Sequence, residues 1–345
     1  MTVDIDAANE GCALVTFALF AYNQEKYIRE AIEGAFSQTY TPLEIILSDD
    51  CSNDRTFGIM QEMAAVYKGP HRVIARQNDS NAGIINHVLN VANEANGLLM
   101  VVAAGDDISH PNRCEILAEA WRDAKPAAVY SGCTDINDDG EILCRDFFPD
   151  PLPRIQKLFE GCSTPKRYGG YIRNIPGYSA AYDLSFLKKL PKTKGGIHNE
   201  DALTTYIANL CGYEIVCIRD SLLNRRFSVS SISAVSSFES LNQVRRNEHV
   251  IQKFSQSTDG FLDYFSELRY LCPSEDYDIL LNRLNYDREY YRTVAEFWNT
   301  SLFYRLIMLF QACDKKTIRY ILPRIFGMNI FCASKFIVQK VRKII

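Results

Sequence analysis

The sequence predicts an α/β fold: a mostly parallel sheet with helices on both faces, followed by an α-helical C-terminal region. Three observations carry this. Over the first ~135 residues, strand-length apolar runs alternate with segments of helical spacing, the βαβ rhythm of a parallel sheet. Leu98–Ala103 is almost wholly apolar, as a strand covered on both faces must be. Beyond residue 236 turn signals become few and the pattern is helical throughout.

The elements follow in chain order. Ala13–Phe20 is the first strand. Glu25–Ser37 places Ile28, Ala31, Ile32, Ala35 and Phe36 at the spacing of a helix with one apolar face. Leu43–Leu47 is the second strand, and Ser52 or Asp54 can cap the helix whose apolar face holds Phe57, Met60 and Ala64. Arg72–Ala75 is the third strand, and Asn81–Ala95 the next helix, with Ile84, Ile85, Val88, Leu89 and Ala92 on one side. After Leu98–Ala103 a helix starts near Pro111, a favoured first-turn residue, and runs to Arg122. Ala127–Tyr130 is another strand. Past residue 136 the rhythm breaks. Asp138-Asp139-Gly140 reads as a turn, and Pro149 to Gly170 as a loop region rich in proline and glycine. Helices are expected near Asp183–Leu190 and from Glu200, then a returning strand at Glu214–Ile218. The expected division is one domain over 1–235 and a helical region over 236–345.

Composition narrows the classes. With 47% hydrophobic and 23% charged residues the chain is that of a folded protein rather than a disordered one. A net charge of −4 gives no whole-protein basis for binding nucleic acid. The eleven cysteines form no C-x-x-C pair, and most sit in apolar runs, such as Cys12, Cys133 and Cys217, where free cysteine acts as a small hydrophobe. An odd count without a framework points to a reducing compartment. Met1 to Glu10 is acidic and polar, unlike a secretory signal. No uninterrupted apolar stretch of ~18 residues suggests a spanning helix.

Ligands of open α/β sheets bind beyond the carboxyl ends of the strands. Four successive strand ends here are polar: Ala21-Tyr22-Asn23-Gln24-Glu25, Ser48-Asp49-Asp50-Cys51-Ser52-Asn53-Asp54, Arg76-Gln77-Asn78-Asp79-Ser80-Asn81-Ala82-Gly83 and Ala104-Gly105-Asp106-Asp107. Asp, Asn and Ser after a strand are ordinary turn and cap residues, and Asp49-Asp50 taken alone reads that way. Asp106-Asp107 differs. It follows the most apolar strand, Gly105 allows close backbone approach, and adjacent carboxylates repel unless a cation or donor offsets them. Hard oxygen ligands suit Mg²⁺ or Mn²⁺ shared with substrate phosphates.

At these residues the chain resembles glycosyltransferase family 2, with a GT-A fold and of the bacterial surface-polysaccharide type. The segments that carry the resemblance are F-A-Y-N-Q-E-K-Y-I, I-I-L-S-D-D-C-S-N-D-R-T, N-A-G-I, V-V-A-A-G-D-D-I, I-P-G-Y-S and N-E-D-A-L, in family order over roughly residues 12–235. The resemblance implies that Tyr22, Asn23 and Glu25 lie around the base and ribose. It implies that Asp50 hydrogen-bonds the base, most often uracil, with Asp49 beside it. Arg76 and the Asn81–Gly83 turn would line the base or diphosphate pocket. Asp106 would be the principal metal-binding carboxylate of a D-x-D motif, with Asp107 adjacent and Mn²⁺ or Mg²⁺ as the ion. Ala104 stands in the first D-x-D position, so coordination must rest on Asp106 with water and diphosphate, with or without another side chain. Glu200-Asp201 resembles the family's E-D pair, with Asp201 as general base for an acceptor hydroxyl. By their residues alone, these acids equally complement a helix N-terminus capped by Asn199. Arg225 and Arg226 can offset diphosphate charge or make salt bridges; Ser228 stands where the family often has histidine.

The implied activity is inverting transfer of a sugar from a nucleotide-sugar, UDP-linked, to a glycan or lipid-linked acceptor in surface polysaccharide synthesis, such as O-antigen. A nucleotidyltransferase is the enzymatic alternative, but its Gly- and Arg/Lys-rich phosphate loop is missing after the first strand. A non-catalytic sugar-nucleotide-binding or scaffold protein is the other, suggested by Ala104. The segment from Asp314 to Ile345 has eight basic residues against one acid, a net +7, interleaved with bulky apolar residues. Such basic amphipathic segments lie on anionic membranes. The expected location is therefore cytoplasmic, peripheral at the inner face of the cell membrane, with a helix pair packed on the first domain as the plainer alternative.

Overall fold

The computed structural model describes residues 12–147, 175–193, 200–227, 260–271, 274–297, 301, 303 and 306. The expected Pro149–Gly170 loop and the basic tail lie outside them. Strands β1 (Val15–Ala21), β2 (Leu43–Asp49), β3 (Arg72–Gln77) and β4 (Leu99–Ala104) alternate with helices α1 (Ile28–Phe36), α2 (Thr56–Val66) and α3 (Ile84–Glu94). Then come β5 (Ile108–Ser109), α4 (Arg113–Arg122), β6 (Ala128–Ile136), β7 (Ile142–Phe147), β8 (Ala180–Asp183), α5 (Leu184–Leu187), α6 (Glu200–Leu210) and β9 (Ile215–Arg226).

One sheet runs in the order β3-β2-β1-β4-β8-β6-β9-β5, with β7 on β6. β3, β2, β1 and β4 form the parallel half that the βαβ rhythm predicts. The other half is mixed: β8 lies antiparallel between β4 and β6, while β6 and β9 are parallel. Alternate strand residues serve opposite faces. Val15, Phe17 and Leu19 of β1 join Ile45, Leu47, Leu99 and Val101 in a core covered by Ile28 and Ile32 of α1, Met60 of α2, and Leu117 and Trp121 of α4. On the other face Phe20 meets His87 of α3 edge-on, with ring centroids 4.9 Å apart. Helices thus cover both faces.

Several boundaries differ from those expected. β9 runs on to Arg226 instead of ending near Ile218, because a register shift between Ser131 and Gly132 absorbs the polar pair Arg219-Asp220 and pairing resumes at Ser221. The helix expected over Asp183–Leu190 is the single turn α5. Asp183 caps it by accepting Phe186 N at 3.2 Å and also receives Trp121 Nε1 at 3.1 Å. Ser52 does not cap α2; its backbone N–H and hydroxyl donate to the Asp49 carboxylate instead. Asp54 does serve the helix start, accepting Thr56 N at 2.9 Å.

The chain divides into two compact units. The first comprises Met1–Gly195, Asn199–Phe227 and Tyr270–Tyr277; the second comprises Gly196–His198, Ser228–Arg269 and Asp278–Ile345. In the second, Phe261, Leu262, Phe265 and Leu268 are buried at helical spacing. Helix α7 (Ser274–Phe297) buries Tyr277, Leu280 and Leu284 in the same way. Among the described residues no helix is long and apolar enough to cross a membrane.

Candidate functional site

The ladder registers make the carboxyl edge level. Ala21 lies beside Asp49, Asp49 beside Gln77, and Phe20 beside Ala104. The next residues, Tyr22, Asp50, Asn78 and Gly105, therefore leave the sheet along one edge. Backbone bonds hold them there: Asp50 N to Ala21 O and Asn78 N to Asp49 O at 2.9 Å, and Gly105 N to Phe20 O at 2.8 Å.

The loops after β1 and β2 are stapled to each other. Asn23 N donates to Ser52 Oγ and its Oδ1 accepts Asn53 N, both at 2.8 Å. Gln24 N donates to Thr56 Oγ1 at 2.8 Å. Glu25 N donates to Asp54 Oδ2 at 3.1 Å, and Glu25 Oε2 accepts Arg55 N at 3.0 Å. Two of the residues expected around a nucleotide, Asn23 and Glu25, thus shape this double loop, whereas the Tyr22 side chain stands 44% exposed beside it.

Asp49 and Asp50 are buried and fully employed. Asp49 takes Gln77 Nε2 at 2.8 Å as well as its Ser52 bonds. Asp50 accepts Asn78 Nδ2 at 2.7 Å, Ala82 N at 2.8 Å and Gly83 N at 3.1 Å, so its carboxylate fixes the turn before α3. Gly83 sits at φ 75, where a side chain would be strained, and Asn81 Oδ1 also accepts its N–H. Arg76 points into a polar cluster behind this turn. It donates to Ser48 Oγ and Asn78 Oδ1, both at 2.7 Å, and pairs with Glu94 at 3.1 Å. His87 Nε2 lies 2.6 Å from the same Ser48 hydroxyl. Burial drives its pKa down to about 4, against the pull of Asp50.

At the end of β4 the two carboxyls separate in role. Asp107 is turned inward and accepts Arg226 N at 2.8 Å. Asp106 is partly exposed, and Gln24 hydrogen-bonds its side chain. Burial pushes Asp106 above the usual carboxylate range; burial and the neighbouring Asp106 charge push Asp107 further. A Cβ on Gly105 would come within 2.8 Å of Ala21 Cβ, so only glycine lets this turn pack against β1. Among the described residues no three His, Cys, Asp or Glu side chains converge as a metal cluster. A single partly exposed carboxylate suits a hard cation that completes its shell with diphosphate and water, and does not suit a self-contained protein metal site.

Of the two roles expected for Arg226, diphosphate contact or salt bridge, the structure shows the salt-bridged arrangement. Its guanidinium is buried and committed: to Glu30 Oε2 at 2.7 Å, Asp106 O at 3.1 Å, and the carbonyls of Asn137 and Asp138 at 3.1 and 3.0 Å, with the Tyr27 ring beneath it at 4.6 Å. Arg225, pointing to the other face of the strand, makes a bidentate pair with Asp135 at 2.8 Å and stacks on Phe147 and Tyr178. The acids of α6 begin that helix; Asp201 is half-buried in its first turn. His198 and Asn199 lie outside the described residues.

Sequence reasoning missed Arg113, a fully buried guanidinium beneath the carboxylate turn. The signal was available: Arg113, Leu117 and Trp121 share one helical face, so the arginine stands in an apolar stripe. Gln24 and His87 were also missed; nothing in their spacing separates them from ordinary loop and helix residues.

Residues 16–171 match the family model of glycosyl transferase family 2. An uncharacterized glycosyltransferase of Rickettsia felis is 30% identical over 173 residues, 46% of this chain and 28% of that protein. Chondroitin synthase of Escherichia coli is 30% identical over 135 residues, 39% of this chain and 19% of that protein. The chain spans no more than 28% of the length of these two curated relatives. Among solved structures, mannosyltransferase PcManGT from Pyrobaculum calidifontis, in complex with GDP-Man and Mn²⁺, matches with a TM-score of 0.52 at 16% identity, over 95% of this chain and 88% of that one. That likeness is one of fold.

Proposed function

Since the chain carries a glycosyl transferase family 2 domain on a GT-A fold, we propose that it is an inverting glycosyltransferase. Its donor is a nucleotide-sugar, UDP-linked, and its acceptor a glycan or lipid-linked glycan of surface polysaccharide synthesis. The observation that supports this most is the level carboxyl edge, where the loops after β1, β2 and β3 leave the sheet alongside the end of β4, which carries one partly exposed carboxylate, Asp106. The catalytic domain spans 1–235. The helical region of 236–345 brings the basic tail to the cytoplasmic face of the membrane, where a lipid-linked acceptor resides.

In this reading Tyr22, Asn23, Glu25, Asp50, Asn81 and Gly83 frame the nucleoside, and Asp106 holds Mn²⁺ or Mg²⁺. Such a cation neutralises charge on a departing diphosphate. Asp201, beside Glu200 at the start of α6, takes the proton of the acceptor hydroxyl. The freed oxygen attacks the anomeric carbon opposite the leaving nucleoside diphosphate, and a single displacement inverts the configuration. Arg225 and Arg226 act indirectly, through Asp135 and the 137–138 turn.

Asp201→Asn tests the base. It should lower sugar transfer by roughly 10²–10⁴-fold while nucleoside diphosphate affinity, measured by calorimetry, stays unchanged. A variant that turns over a nucleotide-sugar at near wild-type rate removes Asp201 from the mechanism.

A further inference from the structure

Arg113 is the most completely buried cation among the described residues, with 0% exposure. Its Nη1 donates to Ser109 Oγ at 2.8 Å, and its Nη2 donates to Val102 O at 2.7 Å and Tyr178 O at 3.1 Å. None of these acceptors carries a charge, and its Nε has no hydrogen-bond partner. Burying a guanidinium on neutral acceptors is costly, so the position needs a physical reason beyond packing.

The reason lies in what the acceptors flank. Val102 stands two residues before Ala104, and Ser109 two residues after Asp107, so one planar fork grips the carboxylate turn from both sides. Asp107 in that turn attracts the guanidinium through space. The third acceptor, Tyr178 O, belongs to the 177–179 turn. Ile175, just before that turn, donates its N–H to Thr205 Oγ1 of α6 at 2.9 Å. A continuous chain of hydrogen bonds and backbone therefore runs from the Asp106–Asp107 turn through Arg113 to the helix that begins with Glu200 and Asp201.

We propose that Arg113 is a positioning residue: it clamps the Ala104–Asp107 turn so that Asp107 faces inward and Asp106 outward, and it keeps α6 in register with that turn. The inference rests on the donor-site reading above. Lysine cannot replace arginine here, because one ammonium group cannot span three acceptors that a rigid fork reaches together.

The experiment compares wild-type protein, Arg113→Lys and Ser109→Ala, which removes one grip alone and keeps the cation. Calorimetry measures the dissociation constants of UDP and, in parallel, GDP, with MnCl₂ and with EDTA; melting temperatures are recorded alongside. The variants should bind in Mn²⁺ about tenfold more weakly than wild type, as losses of ligand-orienting contacts do, while affinities in EDTA stay equal. Ser109→Ala provides the comparison should Arg113→Lys fail to fold. Variants that melt earlier yet keep the full Mn²⁺-dependent gain make Arg113 structural only, and the inference falls. If wild-type protein gains no affinity from Mn²⁺, the donor-site reading fails first and takes this inference with it.

Discussion

Replacing His87 by glutamine should change how the protein responds to acid far more than how stable it is at neutral pH. His87 is 2% exposed and bonds Ser48 Oγ beside the Arg76 guanidinium. Burial, reinforced by Arg76 and opposed by Asp50 and Asp49, lowers its pKa from 6.5 to about 4. The sign follows from linkage. Between these values the unfolded chain holds the imidazole proton and the folded chain does not, so stability is complete above pH ~6.5 and is lost as pH falls towards 4. The slope is about 1.4 kcal/mol per pH unit and the full loss about 3 kcal/mol. Glutamine keeps a hydrogen-bonding group near Ser48 but cannot titrate, and the remaining acids titrate equally in both proteins. Urea unfolding followed by Trp121 fluorescence, in a Trp298→Phe background, gives the curves from pH 7.5 to 4. The wild-type slope should exceed the variant's by about one proton in the middle of this window. Parallel curves would refute the reasoning, since they require His87 to protonate as readily in the folded state as in the unfolded.

Nucleoside diphosphate should bind more tightly with Mn²⁺ or Mg²⁺ than with chelator, and Asp106→Asn should erase the difference; equal calorimetric affinities for wild type in both conditions would count against Asp106 as a metal ligand. Glu44→Gln should destabilise the first unit by about 2–3 kcal/mol, read from denaturant midpoints. The buried carboxylate accepts Thr16 Oγ1 and Asn96 N at 2.6 Å and Asn96 Nδ2 at 3.0 Å. Although burial alone would raise its pKa, these bonds hold it below the usual range, so its contribution is lost as pH falls. Removing residues 314–345 should release the protein from anionic vesicles at low salt, given about 1 kcal/mol per basic residue near such a surface; full-length protein that does not co-sediment would exclude membrane contact by the tail.

Most of the parallel half of the sheet was legible because β1, β2 and β4 are buried on both faces and read as largely apolar runs, separated by helices with 3.6-residue stripes, and the half-buried edge strand β3 follows in the same rhythm. The mixed half was not. β8 is four residues long, too short for periodicity, and β7 is almost wholly exposed, so nothing in Ile142–Phe147 marks it as paired. β5 is two residues long, too short to show any pattern, and its strand partner is β9. At the site, the carboxylates of Asp49, Asp50, Asp106 and Asp107 could be placed at strand ends, but which of them face solvent could not. That depends on cross-chain partners such as Arg226, 119 residues from Asp107. Arg225 and Arg226 looked alike in sequence; strand alternation sends one to an aromatic cluster and the other beneath the carboxylate turn.

The placing of β8 also bears on the order in which the chain can fold as it is made. β3, β2, β1 and β4 can pair as soon as residue 104 has left the ribosome, but β4's remaining edge is completed only by β8, which begins at Ala180. Translation at 5–20 residues per second leaves that edge open for on the order of 4–15 s. An open edge of an apolar central strand is a template for pairing with another chain. Short as it is, β8 is thus the step that closes the nascent sheet against self-association, and slowing synthesis between residues 104 and 180 should favour aggregation over yield.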